Sequence, residues 1–288
     1  MSAFAAPALR VLALDLDGTL LNSRKEISPR NHAAIAAARN AGVRIALVTG
    51  RRYPAARKVA ELLPGAQTLV LHNGGLVIEN SVAIRVRPLA RATAISVVGF
   101  TKSAGADPVV HFGHRGEGLL YVETASPSHT LLAYYLSRSY PDVRVVPNLE
   151  AAVASAPDAP LQVMCGGSMR AMEDLATAIE TGGLGVSVLR TVYPKDDLSL
   201  VDIVAPTVDK SEALDFLCSR WGLGMSEVLA IGDNWNDRLM LQAAGKGCIM
   251  GNAEPALQAL GLEVVPGNDA DGVAVAVERF LLGSSEGQ

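Results

Sequence analysis

The chain has 288 residues, of which 49% are hydrophobic and 19% charged, and its formal net charge at pH 7 is −4. This composition is typical of a globular protein with a substantial core and excludes a disordered chain. The acidic balance gives no electrostatic reason to expect nucleic acid or an anionic membrane as a partner. No stretch reaches the roughly 18 uninterrupted apolar residues of a membrane span. We therefore expect a cytoplasmic protein.

Two carboxylates follow the first apolar strand. Val11–Leu14 is a short continuous apolar run, typical of a strand buried on both faces. Asp15 and Asp17 come directly after it, and Gly18-Thr19 then turns the chain. Because side chains alternate along an extended segment, positions 15 and 17 point the same way. Paired acids where a buried strand meets solvent can bind a divalent cation, or divide the roles of nucleophile and general acid.

Strands and helices alternate through the first third of the chain. The predicted elements after the first strand are, in order, a helix over 29–40, a strand over Arg44–Val48, a helix over about 53–63 and a strand over 67–71. The first of these helices begins at Ser28-Pro29, a cap residue followed by an N1 proline. This alternation predicts an α/β protein with a parallel sheet and helices on both faces.

The middle of the chain has a different pattern. Two amphipathic helices are predicted near 128–139 and 169–181, and short strands are predicted around 108–112, 118–122, 143–147, 161–165, 185–190 and 199–204. Roughly 120 residues are too many for a loop, so we expect an inserted α+β domain. The predicted boundaries give a core of residues 1–82 and 205–288 and an insert of residues 83–204.

The last third returns to the first pattern. A helix is predicted over 210–220, beginning at Lys210, and Val228–Ile231 is a further apolar strand that ends at Gly232-Asp233. In open parallel sheets ligands bind beyond the carboxyl ends of the strands. Asp15, Thr49 and Asp233 each follow a separate predicted strand, so we expect them to converge on one site.

Four motifs, in order, give the chain its resemblance to a known family. Asp-Leu-Asp-Gly-Thr (15–19), Thr-Gly-Arg (49–51), Lys210 ahead of a helix and Gly-Asp-x-x-Asn-Asp (232–237) resemble the four motifs of the haloacid dehalogenase superfamily. The insertion lies between the second and third motifs, which resembles the Cof-type subgroup. The resemblance covers the whole chain and implies a Rossmann-like core with an α/β cap that selects the substrate.

The resemblance implies an aspartyl-phosphate mechanism. Asp15 would be the nucleophile and Asp17 the general acid and base, with Thr49 and Lys210 assisting catalysis. Mg²⁺ would be the cofactor, with Asp15, the backbone carbonyl of Asp17, and Asp233 as ligands. Asp237 would bind the metal or brace a ligand. The phosphoryl oxygens would be held by Thr49, Gly50, Lys210 and Asn236.

Some of these residues have ordinary structural alternatives. Asp237 is also a good helix cap, Thr49 a common strand residue, and an isolated lysine such as Lys210 is usually solvated. In the cap, four residues near a predicted hairpin are candidates for substrate specificity, although each is more often plain surface: His111, His114, Arg115 and Tyr121.

The sequence therefore favours a Mg²⁺-dependent phosphatase of small phosphorylated metabolites. The resemblance implies that sugar phosphates are the favoured substrate class, followed by pyridoxal phosphate or nucleotide monophosphates. The alternatives are a phosphomutase or phosphotransferase, a receiver-like signalling module, and a non-catalytic phospho-ligand-binding protein. We expect a monomer or homodimer that binds neither nucleic acid nor membrane.

Overall fold

The computed structural model describes residues 8–63, 65, 68–114, 116–124, 127, 129–139 and 141–283. The strands are β1 (Val11–Leu14), β2 (Arg44–Val48), β3 (Thr68–Leu71), β4 (Leu76–Glu79), β5 (Val82–Val86), β6 (Val109–His111), β7 (Leu120–Val122), β8 (Val143–Val145), β9 (Gln162–Gly167), β10 (Ser187–Tyr193), β11 (Leu198–Val204), β12 (Val228–Gly232), β13 (Lys246–Met250) and β14 (Glu263–Val265). The helices are α1 (Pro29–Asn40), α2 (Tyr53–Ala60), α3 (Arg91–Ser103), α4 (Thr130–Arg138), α5 (Leu149–Ser155), α6 (Met169–Thr181), α7 (Lys210–Arg220), α8 (Arg238–Ala243), α9 (Pro255–Gln258) and α10 (Gly272–Phe280). Within the described ranges, none of these helices is both long and apolar enough to cross a membrane.

The chain divides into two compact units. The first comprises the described residues up to Thr49, Ala56–Val70 and those from Lys210 onward; the second comprises Gly50–Ala55 and Leu71–Asp209. The predicted insert of 83–204 lies inside the second unit. Its domain boundaries remain a prediction, since the second unit also includes 50–55, 71–82 and 205–209.

The first unit contains a parallel sheet with β1 at its centre. The strand order is β14-β13-β12-β1-β2-β3, and β1 pairs in parallel with both β12 and β2. Leu14, the last residue of β1, is in register with Ile231 and Leu47. Because all strands run the same way, the segments after β1, β2 and β12 emerge at one edge, and these segments carry Asp15, Thr49 and Asp233.

The helix α1 illustrates how local sequence fixes an element of this unit. Ser28 has extended backbone angles, and its Oγ accepts a hydrogen bond from the Asn31 N–H at 3.1 Å. Pro29 occupies the first turn, where its missing N–H costs nothing. The buried Asn31 Oδ1 in turn accepts a hydrogen bond from the Ala274 N–H at 2.8 Å, which joins α1 to α10.

The second unit contains a six-stranded sheet in the order β10-β11-β9-β6-β7-β8. Its pairs are antiparallel except for β7 with β8. Alternating residues send side chains to two faces. One face buries residues such as Val110 and Val163 against α3, α5 and α6, and the other buries Val109 and Met164 against Leu132 and Leu136 of α4.

The α/β class, the parallel-sheet core and the inserted α+β cap are confirmed. Every strand and helix that the sequence predicts is present, with ends shifted by a few residues. The predicted strand over 67–71 is β3, and Gln67 lies outside the described residues. The antiparallel pair β4 and β5, which is joined by Asn80 and Ser81 at positive φ, was not predicted. Seven further elements were not predicted either: α3, α5, α8, α9, α10, β13 and β14.

Candidate active site

Lys210 lies at the centre of a buried ion cluster in the first unit. It is the first residue of α7, and its Nζ is 2.7 Å from Asp15 Oδ1 and 2.6 Å from Asp237 Oδ1. Lys210 and Asp237 have no exposed surface, and Asp15 is 6% exposed. A buried ammonium requires counter-charges, and the two carboxylates supply them. Lys210 is therefore a buried, paired lysine, and the alternative that it is an ordinary solvated lysine is wrong.

Asp237 also braces the loop that follows β12. Its Oδ2 accepts hydrogen bonds from the backbone N–H groups of Asp233 at 3.1 Å and Asn234 at 3.0 Å. The carboxylate packs tightly on the strand end, because a Cβ on Gly232 would lie 2.5 Å from Asp237 Cγ. Glycine at position 232 is what permits this approach. One carboxylate thus contacts Lys210 and fixes the backbone that carries Asp233.

The turn after β1 reaches Asp233 from the other side. Thr19 is fully buried, and its Oγ1 donates a hydrogen bond to Asp233 Oδ1 at 2.9 Å. Gly18 has φ +82°, and a Cβ there would lie 2.2 Å from Asp233 Oδ2. Glycine is therefore required both by the backbone angle and by the close approach. Thr19 was not among the residues predicted to belong to the site, although its place in the Asp-x-Asp-Gly-Thr motif was an available signal.

The electrostatics of the cluster follow from burial and crowding. Burial raises the pKa of Asp15 from 3.8 to about 7, against the attraction of Lys210. Burial and the charges of Asp15 and Asp237 raise the pKa of Asp233 well above 3.8. Burial lowers the pKa of Lys210, but the charges of Asp15 and Asp237 outweigh it and raise that pKa above 10.5. The lysine is therefore charged. Three carboxylates close together would carry more negative charge than the single ammonium of Lys210 can offset.

This donor set fits the magnesium ion that the resemblance implies. One oxygen from each of Asp15, Asp233 and Asp237 lies within 4.8 Å of the other two. Carboxylate oxygens are the ligands that Mg²⁺ prefers, with water completing its octahedron. A divalent cation would also offset the excess negative charge. Asp15 and Asp233 are thus suited as ligands, while Asp237 already engages Lys210 and the loop amides.

Asp17 is more accessible than Asp15. Its side chain is 26% exposed, and its Oδ1 lies 2.9 Å from Nζ of Lys25, which is 65% exposed. Lys25 has φ 64°, an unusual backbone angle for lysine, in the loop between β1 and α1. No sequence pattern singled out Lys25, because its pairing with Asp17 depends on how that loop folds back.

The remaining predicted phosphate ligands lie at strand or helix ends. Thr49 follows β2, is 2% exposed, and donates its backbone N–H to Val70 O at 2.8 Å. Asn236 is half-buried in the short turn Trp235–Asp237. Gly50 belongs to the second unit, where the Asn73 side chain packs against it. Their roles in phosphate binding remain predictions.

Two of the four candidates for substrate specificity, His111 and Tyr121, do not share a face of the cap sheet. His111 pairs with Leu120, and Tyr121 pairs with Val110, so His111 and Tyr121 project from opposite faces of the cap sheet. His111 is 1% exposed, and Tyr121 packs on Phe112 with ring centroids 4.7 Å apart. The expected exposure of His111 to substrate is therefore corrected to interior packing, whereas Tyr121 is half-buried and its contact with substrate remains a prediction. His114 Nε2 lies 2.6 Å from Ala159 O, and Arg115 lies outside the described residues.

Comparisons with known proteins identify relatives over nearly the whole chain. The chain is 28% identical to pyridoxal phosphate phosphatase YbhA of Escherichia coli K12, covering 95% of this chain and 99% of the relative. It is 25% identical to 5-amino-6-(5-phospho-D-ribitylamino)uracil phosphatase YcsE of Bacillus subtilis 168, covering 95% and 96%. The solved structure of the phosphatase BT1666 from Bacteroides thetaiotaomicron has a TM-score of 0.79 at 22% identity, covering 97% and 99%.

Together with the fold and the carboxylate cluster, these relatives show the class of protein. The chain is a phosphatase, a hydrolase of phosphoric monoesters. Residues 12–277 match the family model of haloacid dehalogenase-like hydrolases, and the chain belongs to this family. The Cof-type resemblance found from the sequence is thereby confirmed.

Proposed function

We propose that this phosphatase is Mg²⁺-dependent and hydrolyses small phosphorylated metabolites, sugar phosphates first, through an aspartyl-phosphate on Asp15. The observation that carries the proposal is the buried Lys210 between Asp15 and Asp237, with an oxygen of the half-buried Asp233 within 4.8 Å of theirs. Such a cluster is costly to bury, and Asp15 and Asp233 directly follow strands, at the edge where α/β sheets bind ligands.

The proposed reaction has two displacements at phosphorus. Asp15 attacks phosphorus, the bond to the substrate oxygen breaks, and Asp17 gives its proton to the departing alkoxide. Asp17 then takes a proton from water, whose oxygen attacks the phosphoryl group and releases inorganic phosphate and the Asp15 carboxylate. Asp15, Asp233 and the backbone carbonyl of Asp17 would hold Mg²⁺, which would supply positive charge that reduces repulsion between Asp15 and the phosphate.

The other proposed residues orient the phosphoryl group. Lys210 is a fixed positive charge whose Nζ already contacts Asp15, so it is placed to attract phosphoryl oxygens beside the nucleophile. Thr49, the Gly50 amide and Asn236 would hold the remaining oxygens. Neutral donors suffice for these contacts, because hydrogen bonds to an anion are stronger than those between neutral groups.

The substrate class is proposed from the relatives' names and from chemistry. One relative acts on pyridoxal phosphate and another on a compound with a phospho-ribityl chain. Both substrates are phosphate monoesters of a primary alcohol on a small polar molecule. Sugar phosphates such as hexose 6-phosphates share that chemistry, which supports testing them first.

The test is release of inorganic phosphate from a panel of monoesters, with Mg²⁺ and with EDTA. The panel contains hexose and pentose phosphates, pyridoxal phosphate, phosphoglycolate and nucleotide monophosphates. We expect Mg²⁺-dependent release that Asp15→Asn lowers by at least about a thousandfold, because the amide cannot act as the nucleophile. Asp215→Asn, an exposed position on α7, is the matched control and should retain wild-type rates.

Three outcomes would contradict the proposal. Near wild-type turnover in Asp15→Asn would show that Asp15 is not the nucleophile. Full activity in EDTA would show that the reaction needs no metal. Phosphate that is moved to another hydroxyl of the substrate instead of being released, detected by product analysis, would make the enzyme a mutase.

A further inference from the structure

A buried polar network lies in the second unit, apart from the carboxylate cluster. Its members come from the loop after β3 and from three strands of the six-stranded sheet. Each is at most 5% exposed: His72, Asn73, His111, Gln162 and Asp202. Polar groups so deeply buried are expensive unless they are hydrogen-bonded in a defined arrangement.

Asp202 of β11 is the acceptor at the centre of this network. Its Oδ2 accepts a hydrogen bond from Asn73 Nδ2 at 2.9 Å, and its Oδ1 accepts one from Gln162 Nε2 at 3.0 Å. Each carboxylate oxygen therefore receives an amide N–H from a different element. A buried charge seldom adds net stability compared with a well-packed apolar residue. Its presence is better explained by the geometry that it imposes on its donors.

Asn73 transmits that geometry to Gly50. Its side-chain amide lies flat against the glycine, since a Cβ at position 50 would be 3.1 Å from Asn73 Oδ1 and 3.3 Å from Nδ2. The neighbouring backbone is tied as well, because the His72 N–H donates to Arg51 O at 3.2 Å. His72 and Asn73 have φ of 50° and 53°, an unusual left-handed pair that neighbouring contacts must hold in place.

The loop is also held beyond Gly50. Arg52 is 6% exposed, donates to Gly118 O, and lies 2.9 Å from Asp142 Oδ2. Within the second unit, the segment from Gly50 to Arg52 is thus fixed at both ends, by Asn73 at Gly50 and by Asp142 at Arg52.

We infer that Asp202 is a positioning residue for phosphate binding: through Asn73 it fixes the backbone of Gly50, whose amide is a proposed ligand of the phosphoryl group. This inference rests on the proposed function for the role of Gly50. Asp202 itself touches no reacting atom. Misplacing a single donor by a fraction of an ångström weakens an anion site, because hydrogen bonds depend steeply on distance and angle.

The test exchanges the donor and the acceptor of the Asn73–Asp202 pair. Asn73→Asp places a second buried carboxylate against that of Asp202 and removes the hydrogen-bond donor. Aspartate also tolerates the left-handed backbone of that position. We expect affinity for inorganic phosphate in the presence of Mg²⁺, measured by isothermal titration, to fall at least about tenfold, the loss expected for one hydrogen bond to a charged group. The double variant Asn73→Asp with Asp202→Asn restores a donor–acceptor pair and should return to within about threefold of wild type.

Two further variants separate positioning from general destabilisation. Gln162→Met removes the other donor to Asp202 and leaves Asn73 in place, so it should lower the melting temperature while phosphate affinity changes less than about threefold. If Asn73→Asp does not fold, Asp202→Asn alone provides the test. Asparagine keeps the shape of the Asp202 side chain, but its NH₂ group faces one of the two amide donors, Asn73 or Gln162. The Mg²⁺ concentration for half-maximal activity should not change, since the three clustered carboxylates belong to the first unit.

The inference is overturned if Asn73→Asp binds phosphate as tightly as wild type, or if Gln162→Met weakens binding equally. It is also overturned if the restored pair recovers stability without recovering phosphate affinity. Phosphate binding requires no turnover, so these results are independent of the substrate panel. Failure of the proposed function would instead be a wild-type protein that binds phosphate but hydrolyses no monoester.

Discussion

Lys210 is the residue on which the proposed site most depends. Its Nζ is within 2.7 Å of two carboxylates, and neither Lys210 nor Asp237 has any exposed surface. Removing one partner of such a buried set typically costs about 3–5 kcal/mol, because a charge is left uncompensated. The same charge is therefore required for stability and is available to a phosphoryl group, so activity loss on mutating Lys210 cannot by itself identify a catalytic role.

Thr19 offers a cleaner test at the scale of one residue. Its hydroxyl donates to Asp233 Oδ1 at 2.9 Å and orients the carboxylate proposed to bind Mg²⁺. We expect Thr19→Val, which keeps the side-chain shape, to raise the half-saturating Mg²⁺ concentration by about 10- to 100-fold, as is typical when the partner of a metal ligand is lost. Activity measured across a Mg²⁺ titration gives this value.

The matched control for Thr19 is Thr19→Ser, which keeps the hydroxyl and should retain a Mg²⁺ requirement near that of wild type. Saturating Mg²⁺ should restore much of the Thr19→Val activity, because the nucleophile is untouched. A Thr19→Val enzyme with the wild-type Mg²⁺ titration would show that the hydrogen bond does not tune the metal site.

At the scale of the element, α1 depends on its N-cap. Ser28 Oγ accepts the Asn31 N–H at 3.1 Å, and Asn31 in turn joins α1 to α10. We expect Ser28→Ala to lower the free energy of unfolding by about 1 kcal/mol, the usual value of such a cap. Urea unfolding measures the loss, while the specific activity of the folded protein should stay unchanged because Ser28 lies outside the carboxylate cluster.

Ser28→Asp is the control for the cap, since aspartate accepts the same N–H and should cost little. Its charge also suits the positive end of the helix. Two results would argue against the cap: Ser28→Ala as stable as wild type, or Ser28→Asp as unstable as Ser28→Ala.

Elements with strong local signals were the ones that the sequence predicted. The helix α1 has its cap and N1 proline, and α7 begins at Lys210, as expected. In contrast, α3 follows Ala90, which makes no side-chain cap bond, and its Ile95, Val97 and Val98 do not favour helix intrinsically. The helix is stabilised by packing its apolar face against the cap sheet, which is a tertiary contact that local sequence does not reveal.

The site was predictable to the extent that strand ends fix positions. Asp15 and Asp233 follow neighbouring strands, and an oxygen of each lies within 4.8 Å of the other. The convergence of Thr49 with them remains a prediction, and Asp237 was expected from the family resemblance instead. The contact of Asp202 with Asn73 was not predictable, since the two are 129 residues apart and meet only after the cap sheet has formed. The burial of His111 likewise depends on the register of β6 and β7.

At the scale of the whole molecule, the two units bury different kinds of titratable group. The first unit buries a charged lysine between acids, whereas the second buries His72 and His111 side by side, with ring centroids 5.6 Å apart. Burial, with the nearby charge of Arg52, lowers the pKa of His72 from 6.5 to about 3. Burial, with His72 and Arg52, lowers the pKa of His111 well below 6.5. Both rings are therefore neutral when the protein is folded.

This burial makes the protein sensitive to acid. Between pH 6.5 and pH 3 the unfolded chain binds a proton at His72 that the folded protein excludes, so stability is complete above pH 6.5 and is lost as the pH falls. From pH 7 to pH 5 the loss for one such histidine is about 2 kcal/mol. We expect His72→Asn, which suits the left-handed backbone, to reduce the difference in unfolding free energy between these pH values by about that amount.

Urea unfolding at pH 7 and pH 5 measures this difference, and comparing the two pH values within one variant cancels any packing lost at both. His32→Gln, on α1, is the control and should keep the wild-type difference, because His32 is only half-buried and contacts Leu62 O in the first unit. An unchanged difference in His72→Asn would mean that the ring is protonated in the folded protein, and the buried network around Asp202 would then contain a positive charge. That result would also change the interpretation of Asp202, since the carboxylate would have a charged neighbour in place of a neutral one.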